Sequence, residues 1–259
     1  MNSPTSIAVH GAAGRMGREV LRLAHGDPRL VIVAALVKSE SEAAEVDGIA
    51  CTTSFAADIA PSVLIDFSVA DAFDDALALA RSRRIAFVSG TTGLSSKQHD
   101  ALRDAATTIP VLWSANFSLG VAVLTRLARE AARALAAWDC EIAEAHHRNK
   151  KDAPSGTALA LGRAIANARG AAFDDVAERD RANTPRTRAE SIGFAITRAG
   201  DIVGEHTVTL AGDGERIELT HRATDRAIFA RGAIEAAVWL ATQRPGSYAL
   251  GDVIGLRNA

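Results

Sequence analysis

The sequence predicts an α/β protein in which a parallel sheet, covered by helices on both faces, is followed by an α+β region. Three observations carry this. Short, nearly all-apolar runs alternate with Ala/Leu-rich helical runs through the first half. A glycine cluster follows the first apolar run. After Asn116 the texture changes to one long helix and then strands that mostly alternate apolar and polar residues.

The elements follow in order. SIAVH (6–10) reads as a strand, 14–24 as a helix and LVIVAALV (30–37) as a second strand, which together make a βαβ unit. The pattern continues with VLIDF (63–67), a helix over 70–81, IAFVS (85–89), a helix over 95–107 and VLW (111–113). Strands this apolar, separated by helices, belong to a parallel sheet buried on both sides. LGVAVLTRLAREAARALAAW (119–138) is a long helix, and a strand over 140–145 leads to a helix that starts near Ser155. ESIGFAITRAG, IVGEHTVTL and ERIELTHRA read as three antiparallel strands, separated by Gly-containing turns at 199–201 and 212–214. The polar, proline-containing stretch 173–190 reads as a mobile surface loop. The last helical run, 228–242, is expected to pack back on the parallel sheet and make the first domain discontinuous.

The bulk numbers narrow the class. A chain of 259 residues has room for two domains, and 48% hydrophobic with 23% charged residues and a net charge of -2 describes a soluble globular protein. Without a polybasic face, nucleic acid is not an expected partner. Cys51 and Cys140 lie far apart, so no disulfide framework is expected and a reducing cytoplasm fits. No basic leader with an apolar stretch opens the chain, and no apolar run approaches the ~18 residues of a membrane span; neither a signal peptide nor a membrane partner is expected.

HGAAGRMG (10–17) sits between a strand and a helix, where a dinucleotide-binding loop belongs. Gly11, Gly14 and Gly17 allow a tight turn and close approach of backbone amides to a pyrophosphate at the positive end of the helix, with Ala12, Ala13, Arg15 and Met16 completing the loop. The same glycines would also serve a plain close-packed turn, and the strand–loop–helix setting favours the cofactor. About twenty residues on, where NAD enzymes place an acid for the adenosine ribose, stand Val37, Lys38 and Ser39. Lys38 suits a 2′-phosphate, or is a solvated strand-end lysine; the first reading predicts NADPH as preferred cofactor with NADH possible. Two more loops end strands of this sheet. Gly90, Thr91 and Thr92 can approach the nicotinamide ribose, while Ser114, Ala115, Asn116 and Phe117 can meet the carboxamide and ring.

AHHRNKKDAPSGTAL (145–159) concentrates two histidines, an arginine and two lysines before a helix start with Pro154, Ser155 and Thr157. Such cations with helix amides can hold a carboxylate or phosphate, and the imidazoles can move a proton. A solvated basic turn is the plainer alternative. Metal ligation is not expected, because adjacent His146 and His147 have no third ligand at convincing spacing.

This stretch resembles the signature E-x-H-H-x-x-K-x-D-x-P-S-G-T-A of the 4-hydroxy-tetrahydrodipicolinate (dihydrodipicolinate) reductases, and every fixed position matches from Glu144 to Ala158. GAAGRMG, IDFS (65–68), SGTTG (89–93), ANFSLG (115–120) and IGFAITRAGDIVGEH (192–206) extend the resemblance over nearly the whole chain. It implies a Rossmann-like parallel-sheet cofactor domain, 1–117 completed by 228–259. It also implies an α+β substrate-binding and oligomerisation domain with a mixed sheet over 118–227, and a homotetramer. The implied reaction is hydride transfer from NAD(P)H to C4 of a cyclic unsaturated imine dicarboxylate, then protonation, in the diaminopimelate route to lysine. His146 and Lys150 fall on the family's proton donors, and His147, Lys150, Gly156 and Thr157 on its substrate contacts. Lys151 stands where an apolar residue is usual, and Val37 where many members carry an acid. A reductase of another small dicarboxylate and a catalytically silent nucleotide sensor are the alternatives. The first lacks the HHxxK-DxPSGT combination, and the second predicts loss of proton donors that are intact here.

Overall fold

The structure, a computed structural model, describes residues 3–38, 45–56, 59–180 and 191–256. In chain order, β1 (Thr5–His10), α1 (Arg15–His25) and β2 (Leu30–Leu36) come first, followed by a small hairpin of β3 (Glu45–Val46) and β4 (Ile49–Thr52). Then come β5 (Val63–Asp66), α2 (Ala70–Arg83), β6 (Ala86–Ser89), α3 (Ser96–Ala105) and β7 (Pro110–Trp113). After α4 (Leu119–Ala134) lie β8 (Asp139–His146), α5 (Gly156–Ala168), α6 (Phe173–Val176), β9 (Ala177–Glu178), β10 (Ile192–Arg198), β11 (Gly204–Gly212) and β12 (Glu215–Ala223). The described chain closes with α7 (Ala227–Leu240), β13 (Gly246–Tyr248) and α8 (Leu250–Val253). It divides into two compact units, Met1–Leu119 with Ala227–Ala259, and Gly120–Arg226.

The first unit holds a sheet in the order β13-β7-β6-β5-β1-β2-β4-β3, parallel except for the β3–β4 pair. All four residues of β5 and of β6 are buried, as a strand covered on both faces requires. Ala8, Leu64, Phe87 and Val111 pack with Phe73, Ala76, Leu77 and Leu102 of α2 and α3. Ile7, Val9, Ile65, Val88 and Leu112 point by alternation to the opposite face. A capping box starts α3, where Ser95 Oγ accepts from the Gln98 amide and Gln98 Oε1 from that of Ser95. On α7 the buried side is largely Ala227, Ala230, Gly232, Ala233, Ala236 and Ala237, so its backbone comes close to its neighbours. It packs on α1 and on β5, β6 and β7. A Cβ at Gly232 would lie 1.8 Å from the Phe117 carbonyl oxygen.

The second unit is a five-stranded sheet, β12-β11-β8-β10-β9. On β8, residues Cys140, Ile142, Glu144 and His146 share the buried face; on β11, Gly204, His206, Val208 and Leu210 do. Their apolar members pack with Leu124, Ala128 and Ala132 of α4 and with Leu161 and Ile165 of α5.

Four expectations are corrected. The strand over 192–198 does not pair antiparallel with its successor: β10 runs parallel to β8, which lies between it and β11. Its burial also breaks the alternating pattern, with three successive buried residues after Ser191. The long helix ends at Ala134 and not 138, because the chain turns at Leu135–Trp138, where Arg169 donates to the Trp138 carbonyl at 2.8 Å. The stretch read as a loop from 173 carries α6 and β9, anchored by buried Phe173; the part over 181–190 lies outside the described residues. The hairpin β3–β4 and strand β13 have too few residues to show a period, and the sequence reading missed them.

Candidate active site

The first unit supplies a cradle at the carboxyl ends of its strands. Gly11 has φ +75°, and a Cβ there would lie 2.7 Å from the Phe67 carbonyl oxygen. At Gly17 a Cβ would stand 2.2 Å from the Gly11 oxygen, so α1 can begin against the loop only without a side chain. Gly14 is the N-cap and gives no side-chain hydrogen bond, which leaves the first-turn amides of Arg15 and Met16 as the donors an anion needs. Ala12 is buried and its amide is spent on Leu36 O, while Ala13 O accepts from Arg18 Nε. These features fit a nucleotide's pyrophosphate. Val37 is buried at the end of β2, Lys38 is exposed beside it, and Ser39 lies outside the described residues.

A buried carboxylate ties the neighbouring loops together. Asp66 Oδ1 meets His10 Nδ1 at 2.9 Å and accepts from the Ser68 amide; Oδ2 accepts from Ser89 Oγ and Thr91 Oγ1, each at 2.8 Å. Burial pushes the Asp66 carboxyl up, but the bonds from His10, Ser68 and Thr91 outweigh it and hold its pKa below the ordinary value. Trp113 Nε1 donates to Thr91 O, and a Cβ at Gly90 would collide with the Phe67 ring at 2.1 Å. Phe117 is buried edge-on to Phe67, with ring centroids 5.6 Å apart, so it offers a ligand its backbone more than its ring. Ser114 Oγ donates to Asn116 O, and Asn116 Oδ1 accepts from the Ser118 amide. Ala115 and Thr92 are exposed.

The second unit builds the basic stretch into a connected set. Strand β8 ends at His146, whose Nδ1 lies 2.6 Å from Glu144 Oε2. Glu144 also accepts from both terminal nitrogens of Arg198 and from the Ser155 amide. Ser155 is the N-cap of α5: its Oγ accepts from the Ala158 amide and bonds His206 Nε2 at 3.0 Å. Gly156 is exposed at that helix end, a Cβ there would meet nothing, and Thr157 follows it. Lys150 Nζ donates to Asp152 Oδ1 at 2.8 Å; His147 is half-buried and Lys151 exposed.

The electrostatics follow from burial and pairing. Burial raises Glu144, but Arg198, His146 and the Ser155 amide together hold it below the usual carboxylate range. Burial lowers His146, and Glu144 opposes this while Lys150 and Arg198 add to it; the net shift is downward. Lys150 lowers Asp152 by its hydrogen bond. His206, 4% exposed and edge-on to His146 at 5.2 Å, is pushed down to about 4, chiefly by burial and then by His146.

A stability prediction follows from His206. Between its ordinary 6.5 and about 4 the unfolded chain binds a proton that the folded protein refuses, so stability is lost as the pH drops through that window. At about 1.4 kcal/mol per pKa unit, this residue accounts for roughly 3 kcal/mol. Urea unfolding at pH 7 and at about pH 4.5 should show the loss in the wild type and a shallower one in His206→Gln; parallel losses would contradict it.

Sequence reasoning missed Asp66, His10 and Trp113 in the first unit, and the roles of Glu144, Arg198 and His206 in the second. Glu144 was legible two residues from His146 on the same strand face. Arg198 was not, because it meets this set through the parallel register that pairs it with His146.

Residues 5–117 match the family model described as dihydrodipicolinate reductase, N-terminus, and residues 120–254 the one described as dihydrodipicolinate reductase, C-terminus. The 4-hydroxy-tetrahydrodipicolinate reductase of Stenotrophomonas maltophilia (strain K279a) is 49% identical over 97% of this chain and 98% of that one. Its counterpart in Xanthomonas campestris pv. campestris (strain B100) is 48% identical, again over 97% and 98%. The fold is also that of a dipicolinate-bound dihydrodipicolinate reductase from Paenisporosarcina sp. TG-14, with TM-score 0.74 at 21% identity over 95% of this chain and 97% of that one. With both halves matched and relatives nearly half identical from end to end, this chain belongs to the dihydrodipicolinate reductase family.

Proposed function

We propose that this chain reduces 4-hydroxy-tetrahydrodipicolinate to tetrahydrodipicolinate, with loss of water, in the diaminopimelate route to lysine. The observation that carries the reading is the buried Glu144–His146 pair, which stands with Lys150 beside the start of α5. An oriented imidazole, a cation and helix amides are what a cyclic dicarboxylate awaiting a proton needs.

A nicotinamide cofactor supplies, when bound, the hydride that goes to C4 of the unsaturated imine left as the 4-hydroxyl departs in water. The loop Gly11–Gly17 holds its pyrophosphate by backbone amides, and Gly90, Thr91, Thr92 and Ser114–Phe117 contact its other end. His147, Lys150, Gly156 and Thr157 hold the substrate carboxylates, with Lys150 exchanging Asp152 for one of them. His146 and Lys150 deliver the proton. Burial and nearby cations disfavour the imidazolium in the protein alone, and the two arriving negative charges restore it. The test is a coupled assay in which dihydrodipicolinate synthase makes the unstable substrate from pyruvate and aspartate semialdehyde. Cofactor oxidation that requires all components supports the proposal; its absence despite tight cofactor binding rejects it.

NADPH is the preferred cofactor in this reading, with NADH possible, since buried Val37 offers the ribose no acceptor and exposed Lys38 stands at the end of β2. Lys38→Ala should weaken NADPH binding and leave NADH nearly unchanged in titration calorimetry; equal affinities for both cofactors in both proteins would contradict this. Ala143 and Ala195, paired and exposed on the sheet face opposite Glu144, support assembly through that face into a homotetramer. Both cysteines are free, which suits a reducing cytoplasm, and among the described residues no helix is long and apolar enough to cross a membrane.

A further inference from the structure

We propose that Glu144, clamped by Arg198, is a positioning residue: it keeps the His146 proton on Nδ1 and so makes Nε2 the atom that exchanges protons with the substrate. The inference rests on the reductase reading above for its chemistry, though not for its geometry.

Four donors fill the Glu144 carboxylate. Oε1 accepts from Arg198 Nη2 at 2.7 Å and from the Ser155 amide at 3.0 Å; Oε2 accepts from Arg198 Nη1 at 2.8 Å and faces His146 Nδ1 at 2.6 Å. A guanidinium and a backbone amide can only donate, so three of the four contacts require lone pairs on the carboxylate. Glu144 is fully buried, where an ionised group persists only when so paired. An ionised carboxylate has no proton to give, and the hydrogen in the short contact therefore belongs to Nδ1. Arg198 is itself fixed, because Nη2 also donates to the Asp152 carbonyl at 2.6 Å.

The other ring nitrogen, Nε2, lies beside Gly204. A Cβ at position 204 would lie 3.1 Å from His146 Nε2, so the glycine leaves room beside that nitrogen. The ionisable groups around His146 are Glu144 on its own strand, Arg198 on β10, His206 on β11 and Lys150 on the following loop. Of these, only Glu144 is an acceptor for Nδ1, and the lowered pKa of Glu144 agrees with its ionised form.

Glu144→Gln separates this from a merely structural role. Glutamine keeps one oxygen, which can still serve Arg198 and the Ser155 amide. Its NH₂ then faces His146 Nδ1, and the neutral ring must accept there and carry its proton on Nε2. Imidazole ¹⁵N NMR of histidine-labelled full-length protein, at a pH where His146 is neutral and with its signals assigned by His146→Gln, reads the tautomer directly. The expected result is a protonated Nδ1 in the wild type and a protonated Nε2 in Glu144→Gln. In the coupled assay kcat of Glu144→Gln falls by about 10²-fold, the lower end of what a positioned acid contributes, while KM changes far less. A wild-type His146 protonated on Nε2 overturns the proposal without any variant, and so does a Glu144→Gln enzyme with wild-type kcat. Because the NMR needs no substrate, the tautomer it reads is independent of whether the wild type turns over; failure to turn over would reject the reductase reading instead.

Discussion

Replacing His146 with glutamine is expected to lower kcat in the coupled assay by about 10²–10⁴-fold, the range a positioned general acid supplies, while cofactor affinity stays at the wild-type value. The ring sits at the end of β8 with 11% of its side chain exposed, oriented by a carboxylate and close to a second cation. Glutamine can occupy the strand position and hydrogen-bond Glu144, but it has no titrating proton. Lys150→Ala should lose activity on a similar scale, because the partly sheltered ammonium serves both the substrate carboxylate and the proton. Lys151 is exposed, and Lys151→Ala should keep kcat within about twofold of the wild type, or ~0.4 kcal/mol in the barrier. Kinetics of the three variants decide it: a crippled Lys151→Ala beside a nearly silent Lys150→Ala would reverse the roles of the tandem lysines.

Gly17→Ala should damage the cofactor site. The new Cβ would stand 2.2 Å from the Gly11 oxygen and 2.8 Å from the Ala12 Cα, both backbone atoms that cannot swing aside. The start of α1 must move away from the loop, at a stability cost of about 1–3 kcal/mol for overpacking. Its first-turn amides move with it, and a loss of at least about tenfold in NADPH affinity, or ~1.4 kcal/mol, is expected by titration. Gly26→Ala is the control, because its nearest contact would be Leu23 O at an ordinary 3.9 Å. Equal affinities in the two variants would show that the glycine spacing serves packing and not the nucleotide.

The parallel sheet was legible because both faces are buried and its strands are therefore almost wholly apolar. Helices of both units were legible from period and ends, as with Ser155 capping α5 in the second. The pairing of β10 was not, since sequence neighbours joined by a Gly turn usually pair, and here β8 intervenes with a register that no local residue encodes. The signature gave His146 and Lys150. Arg198 and His206 reach Glu144 from other strands, 54 residues from Glu144 for the arginine, so their part depends on topology. Asp66 could be noticed in IDFS, but its four donors come from three different strand ends.

The proposed reaction turns on hydride transfer from a nicotinamide to C4 of the cyclic imine. The most direct measurement supplies synthase, pyruvate, aspartate semialdehyde and NADPH deuterated at the transferable C4 position, and analyses the product by mass spectrometry and NMR. Tetrahydrodipicolinate carrying the deuterium at its own C4 is the expected product. Cofactor left unoxidised, or a reduced product without the label at C4, would contradict it.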